Sequence, residues 1–284
     1  MPETSSTTKP DLRFTLIQPE VAWEEPLSNR AHYEALIREE ASRERLEIVL
    51  LPEMFATGFS MNTAAFAEDM DGPIVSWMKE IAQRHRCILG GSAMIREADG
   101  QCFNRFLWVL PNGVVYHYDK RHLFAYGSEN QHYTPGNRRV IVQVRGWRIC
   151  LQVCYDLRFP VWSRNVSAGP QQGGETQSSD ATGEYDVLVY IASWPERRAA
   201  AWNTLLPARA IENQAYCIGL NRVGADGNGV NHRGDSGVYH PDGSPVWKAP
   251  EGPAVHTLTL SWEPLQSFRE HFPFLKDADP FMLL

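Results

Sequence analysis

In the stretch QVCYDLRFP (152–160), a thiol stands where an apolar run ends. Cys154 closes the run RICLQV and is followed at once by Tyr155, Asp156 and Arg158. The other four cysteines, Cys87, Cys102, Cys150 and Cys217, lie within or beside apolar stretches and read as small core residues. A nucleophilic thiol needs a base to take its proton, and positive or N–H groups where an oxyanion develops. Three other stretches offer such groups. LLPEMFATGF places Glu53 just past an apolar run, YHYDKRHLF places Lys120 just past another, and YGSENQHYTPG places Glu129 on a polar loop. Taken singly, each reads as a solvated charge and the cysteine as an inert thiol.

These groups need elements to hold them. Apolar runs predict strands over 12–20, 46–53, in CILGGSAMI and CFNRFLWVL, and, after a turn at 111–113, in VVYHYDK. RVIVQV, WRICLQV, YDVLVYIAS, AYCIGLNRVG, SGVYHPDGSP and AVHTLTLSW continue the strand pattern. Helices are expected over 26–45, over GPIVSWMKEIAQRHR, near 160–168, and over about 199–214 with Pro207 starting or kinking the last. The alternation implies a mixed sheet covered by helices, with the charged groups and Cys154 at carboxyl ends of strands, where chemistry collects in α/β sheets. The two halves look alike in element order. GPQQGGETQSSDATG (169–183) lacks bulky apolar residues and reads as a flexible surface insertion rather than a linker.

Composition narrows the class. The chain has 284 residues, 43% hydrophobic and 21% charged, with a net charge of −7. No dense basic run offsets that charge, which argues against nucleic acid or an anionic membrane as partner. The N-terminus MPETSSTTKPDLRF is polar, and no apolar run approaches the length of a membrane span. Five cysteines without a CxxC pair support neither a disulfide framework nor a zinc ribbon. A cytoplasmic protein with reduced thiols and no metal is expected.

The strings LPEMFATGF, DKRHLF and CYDLRFP, in this order, resemble the nitrilase (carbon–nitrogen hydrolase) family. GGSAM, ASWP and RAIENQAYCIGLNRVG support the likeness, which runs from about residue 12 to about 262. The resemblance implies one domain across the chain with a four-layer α-β-β-α sandwich, no cofactor, and pairing into homodimers or larger assemblies. The C-terminal segment, about 263–284, is then expected to reach a partner copy. It also implies roles: Cys154 as nucleophile, Glu53 as general base, Lys120 as third member and Glu129 as second glutamate. In the chemistry so implied, Lys120 and the Tyr155 backbone N–H stabilise the oxyanion. No histidine is needed. A papain-like pairing of Cys154 with His232 or His240 lacks the Gly/Trp signature of such enzymes.

Tyr155-Asp156 after the cysteine, where nitrile-cleaving members carry Trp-Glu, resembles the omega-amidases, which act on small 2-oxo dicarboxylic acid monoamides. In that branch Arg158 would hold the substrate carboxylate, as a planar guanidinium can with two parallel hydrogen bonds. A salt bridge to Asp156 or Glu184 is its structural alternative. Trp194 and Phe124 are candidate pocket walls, Asp156 is expected to fix the nucleophile's loop, and Arg121-His122 to affect only the local surface. Amidases of deaminated glutathione or of N-carbamoyl amides, and a catalytically silent interaction module, are the competing readings.

Overall fold

The computed structural model describes residues 8–165 and 183–279. Two six-stranded mixed sheets form its centre. In the first, the order is β14 (Ala254–Leu260), β1 (Leu12–Gln18), β2 (Ile48–Leu50), β3 (Ile88–Arg96), β4 (Cys102–Val109) and β5 (Val115–Asp119). In the second it is β13 (Pro245–Lys248), β12 (Gly237–Tyr239), β9 (Tyr216–Leu220), β8 (Val187–Ile191), β7 (Trp147–Val153) and β6 (Ile141–Val144). A hairpin of β10 (Val223–Ala225) and β11 (Asn231–Arg233) stands beside them.

Both sheets repeat one pairing sequence. β14–β1 and β6–β7 are antiparallel; β1–β2–β3 and β7–β8–β9 are parallel; β3–β4–β5 and β9–β12–β13 are antiparallel again. The likeness of the two halves in sequence order is therefore a likeness of sheets. Phe14, Leu16, Leu50, Phe106 and Trp108 of the first sheet share one core with Ile149, Leu151, Val189 and Ile218 of the second.

Helices α1 (Pro26–Arg43) and α3 (Pro73–His85) cover the outer face of the first sheet, and α5 (Ala199–Asn213) that of the second. On α3 the buried Ile74, Val75, Trp77, Met78, Ile81 and Ala82 recur at helical spacing and pack with Val49, Leu51 and Leu89. The result is the four-layer α-β-β-α sandwich. Short helices α2 (Thr63–Phe66) and α4 (Pro160–Ser163), and the C-terminal α6 (Trp262–His271), complete it.

Several boundaries differ from the sequence reading. The strand expected over 46–53 pairs only at Ile48–Leu50, because Pro52 has no N–H to donate and a turn begins at Glu53. The helix near 160–168 covers Pro160–Ser163, and Pro207 lies inside α5. Residues 169–182 of the expected insertion lie outside the described residues, as do 280–284 of the C-terminal segment. The described part of that segment packs on its own chain, with Leu265 and Leu275 buried. Among the described residues no helix is long and apolar enough to cross a membrane.

α6 is tied to the second sheet through Asp186, a fully buried residue just before β8. Asp186 accepts from Arg148 Nη2 (2.6 Å), Arg269 Nη1 (2.9 Å) and Lys9 Nζ (3.1 Å). Burial alone would raise its pKa, but the Arg148 hydrogen bonds and the charges of Arg269, Arg148 and Lys9 overcome this and hold it to about 2. Asp186→Asn is expected to lower the unfolding free energy by about 3–5 kcal/mol at pH 7, because it strands buried positive charge. The folded pKa lies below the unfolded one, so the carboxylate's contribution is complete above about pH 4 and disappears as pH falls toward the folded value. Urea denaturation of both proteins should show the gap narrowing over that window; a gap that stays constant would contradict the assignment.

Candidate active site

Cys154 follows β7 directly and opens the 3-10 turn Cys154–Arg158. Its φ is +47°, in the left-handed region that costs a non-glycine residue. Asp156 holds this turn. Its carboxylate, fully buried, accepts from Val153 N (3.0 Å), Tyr118 Oη (2.8 Å), His122 N (3.0 Å) and His122 Nδ1 (2.8 Å). The His122 ring stacks on Phe159, centroids 3.7 Å apart. Asp156 thus fixes the loop as expected. The expectation that Arg121-His122 touches only the local surface is corrected: His122 braces the turn that carries Cys154, and Arg121 donates to Gly136 O (3.0 Å).

Behind the thiol lies a closed polar cluster. Lys120, one residue past β5, donates from Nζ to Glu53 Oε1 (2.8 Å) and to Glu129 Oε2 (2.8 Å) and Oε1 (3.0 Å). Asn104 Nδ2, on the neighbouring β4, bridges Glu53 Oε1 (2.8 Å) and Glu129 Oε1 (3.0 Å). Backbone donors complete the set: Ser193 N to Glu53 Oε2 (2.8 Å) and Phe124 N to Glu129 Oε2 (2.5 Å). Glu53 and Glu129 are fully buried. The polar-loop reading of Glu129 gives way to a buried carboxylate, and Cys154, expected at an open strand end, is 7% exposed.

Local backbone explains how these groups stay aimed. After Glu53 the chain turns at Met54, also left-handed at φ +47°, with Met54 N donating to Ser92 Oγ (2.9 Å). After Lys120, Gly136 N closes on the Lys120 carbonyl (2.9 Å). A Cβ on Gly136 would sit 2.0 Å from the Asp119 carbonyl oxygen, so only glycine permits this approach.

Burial is the largest influence on Lys120, Glu129 and Cys154. For Lys120 it opposes the charge, but Glu129, Glu53 and Cys154 outweigh it and hold the ammonium's pKa well above its ordinary value. For Glu129 burial raises the pKa, Lys120 opposes and Glu53 adds to the rise. For Cys154 burial and Glu53 push the thiol well above its ordinary range, against the pull of Lys120. The resting thiol is therefore protonated at neutral pH, with Glu53 among the groups that keep the proton on it. A protonated thiol near a carboxylate can give up its proton during attack instead of standing as a thiolate.

Cys154 lies on the wall of a cavity of about 380 Å³, with Phe124, Tyr155, Arg158 and Trp194. All four expected pocket residues are thus brought together around the thiol. The Arg158 guanidinium lies 5.0 Å from the Trp194 ring centroid. Its alternative partners are taken: Asp156 by the nucleophile's turn, and Glu184 by Arg139. Trp194 is wall and core at once, only 3% exposed.

The sequence reading missed Asn104, Ser193, Arg197 and Arg198. Asn104 was, with Arg105, one of two polar residues inside the otherwise apolar run CFNRFLWVL, a signal that was present. Ser193 acts through its backbone, which no side-chain pattern reveals. Among the described residues no group of His, Cys, Asp and Glu is placed to hold a metal ion.

The "Carbon-nitrogen hydrolase" family pattern matches residues 13–270. The chain is 43% identical to the omega-amidase YafV of Escherichia coli over 275 residues, covering 96% of this chain and 99% of that protein. It is 25% identical to the 2-oxoglutaramate amidase of Bacillus subtilis, covering 93% and 96% of the two chains. Among solved structures, a CN-hydrolase superfamily protein of Xanthomonas campestris with an arsenic adduct in its active site superposes with a TM-score of 0.89. That protein is 42% identical, with 96% of this chain and 99% of that one covered.

All five cysteines are free and buried, but Cys154 is the one on the cavity wall. Iodoacetamide is expected to modify it roughly tenfold or more faster than any other thiol, since it opens onto the cavity with the Glu53 carboxylate near enough to take its proton. Peptide mass mapping of the first adduct checks this; a first adduct on Cys87, Cys102, Cys150 or Cys217 would contradict the site.

Proposed function

The chain belongs to the carbon–nitrogen hydrolase family, and from that premise we propose that it is an omega-amidase. On this reading it hydrolyses the terminal amide of a small carboxylate-bearing substrate such as 2-oxoglutaramate, giving 2-oxoglutarate and ammonia. One observation carries the choice of substrate class: Arg158, free of any ion pair among the described residues, shares a cavity wall with the Cys154 thiol. The names of the relatives in Escherichia coli and Bacillus subtilis support the same reading.

In this mechanism Glu53 accepts the Cys154 proton as sulfur attacks the amide carbon. The carbonyl oxygen becomes an oxyanion beside the Lys120 ammonium and the Tyr155 backbone N–H. Collapse of the tetrahedral intermediate breaks the carbon–nitrogen bond, and Glu53 returns its proton to the departing nitrogen as ammonia. A thioester on Cys154 remains. Water then gives a proton to Glu53 and adds to the thioester carbon, and the thiol regains that proton as the acid leaves. Glu129 and Asn104 do no bond chemistry here. They fix Lys120 and Glu53 in a dry site, where a placed charge is worth far more than in water. An intact cluster of this kind also disfavours a silent interaction module.

Glu53→Gln is expected to slow thioester formation by roughly 10²–10⁴-fold, the usual weight of a positioned base. Intact-protein mass spectrometry during single turnover would reveal it, and adduct formation at wild-type speed would place the base elsewhere. Lys120→Ala should be comparably damaging through lost oxyanion stabilisation.

Arg158→Met is expected to raise KM for 2-oxoglutaramate and lower kcat/KM by roughly 10²-fold, about 2–3 kcal/mol. Amides without a distal carboxylate should lose far less. Equal loss for both substrate types, together with a lower melting temperature, would instead mark Arg158 as a structural brace.

A further inference from the structure

The cavity holds more positive charge than one carboxylate requires. Besides Arg158, its wall includes Arg197 and Arg198 from the 3-10 turn Glu196–Arg198. The acids on the same wall are engaged elsewhere: Glu24 accepts from Ser60 Oγ (2.5 Å), and Asp226 from Asn228 N (2.8 Å) and Val230 N (2.9 Å). Among the described residues none of the three guanidinium groups forms an ion pair.

Arg198 is held more closely than Arg197, whose guanidinium carbon lies 6.0 Å from the Tyr126 ring centroid. Its guanidinium carbon lies 4.7 Å from the Phe124 ring centroid and 5.2 Å from that of Tyr126. Its backbone is pinned at both ends, N donating to Pro195 O (2.9 Å) and O accepting from Trp194 Nε1 (2.9 Å). Trp194 therefore serves both arginines: its ring underlies Arg158, and its indole N–H anchors the backbone of Arg198. Two like charges aimed into one cavity repel until an anion lies between them. A guanidinium already fixed by rings and backbone loses little freedom when that anion arrives.

We propose that Arg198 is a specificity-determining residue that, with Arg158, clasps the carboxylate–2-oxo end of the substrate. The inference rests on the omega-amidase reading and deepens it. A 2-oxo acid presents three oxygens at one planar end, two on the carboxylate and one on the adjacent carbonyl. One guanidinium fork satisfies two oxygens; the third needs a donor of its own. A site built to hydrogen-bond an oxygen rejects the analogue lacking it, because the site's donors are then left unpaired. The pair thus selects 2-oxo monoamides over plain omega-monoamides of the same length.

The test compares 2-oxoglutaramate with glutaramate, identical except for the 2-oxo oxygen, in wild type, Arg198→Met and Arg198→Lys, with melting curves on all three. The ratio of the two kcat/KM values is expected to fall roughly tenfold or more in Arg198→Met, by loss of the discriminating donor. In Arg198→Lys, which keeps the charge but not the fork, it should fall less but measurably. An unchanged ratio in either folded variant, whatever the absolute rates, overturns the assignment of Arg198 alone. A wild-type protein that releases ammonia from neither compound overturns the omega-amidase reading itself.

Discussion

The ammonium of Lys120, sealed between the carboxylates of Glu53 and Glu129, is the constraint around which the site is arranged. An ammonium buried without water demands partners, and two carboxylates so close demand a cation between them. Each of the three is therefore tolerable only where the others are. Their remaining lone pairs are met by Asn104 and by the backbone N–H groups of Ser193 and Phe124. On the proposed mechanism, the electrostatics that would stabilise a growing oxyanion are thus in place before any substrate arrives, and their solvation cost is met by folding.

The repetition of the sheets explains where this cluster forms. β2 and β8 occupy equivalent places in the two sheets, each central and parallel to both neighbours. Glu53 follows β2, Ser193 follows β8, and the two are joined by a hydrogen bond. Cys154 leaves β7, next to β8, while Lys120 leaves the edge strand β5 of the other sheet. The seam between the sheets is apolar where the two share a core and polar at this end, so Cys154, Glu53 and Lys120 sit where the apolar core runs out.

Much of this was legible in the sequence. The layer order followed from the family resemblance, and the gathering of Cys154, Glu53 and Lys120 near Arg158, Trp194, Tyr155 and Phe124 followed from ordered strings and strand ends. What was not legible depends on contacts distant in the chain. Glu129 looked solvated because its loop is polar, yet the fold presses it against a lysine nine residues away and an asparagine on another strand. His122 looked superficial because its neighbours are charged, and only its hydrogen bonds to Asp156 and its stacking on Phe159 give it a role. Strand ends were overrun where pairing, which composition does not report, stopped early at Leu50.

The left-handed backbone at Cys154 sets the residue's chemical value against its conformational one. Most residues other than glycine are strained there, by about 1–2 kcal/mol, with Asn and Asp strained less. Glycine would relieve that strain and abolish the thiol at one stroke. On the proposed mechanism, selection for folding robustness alone would therefore favour losing the thiol, and only selection for turnover would hold it in place.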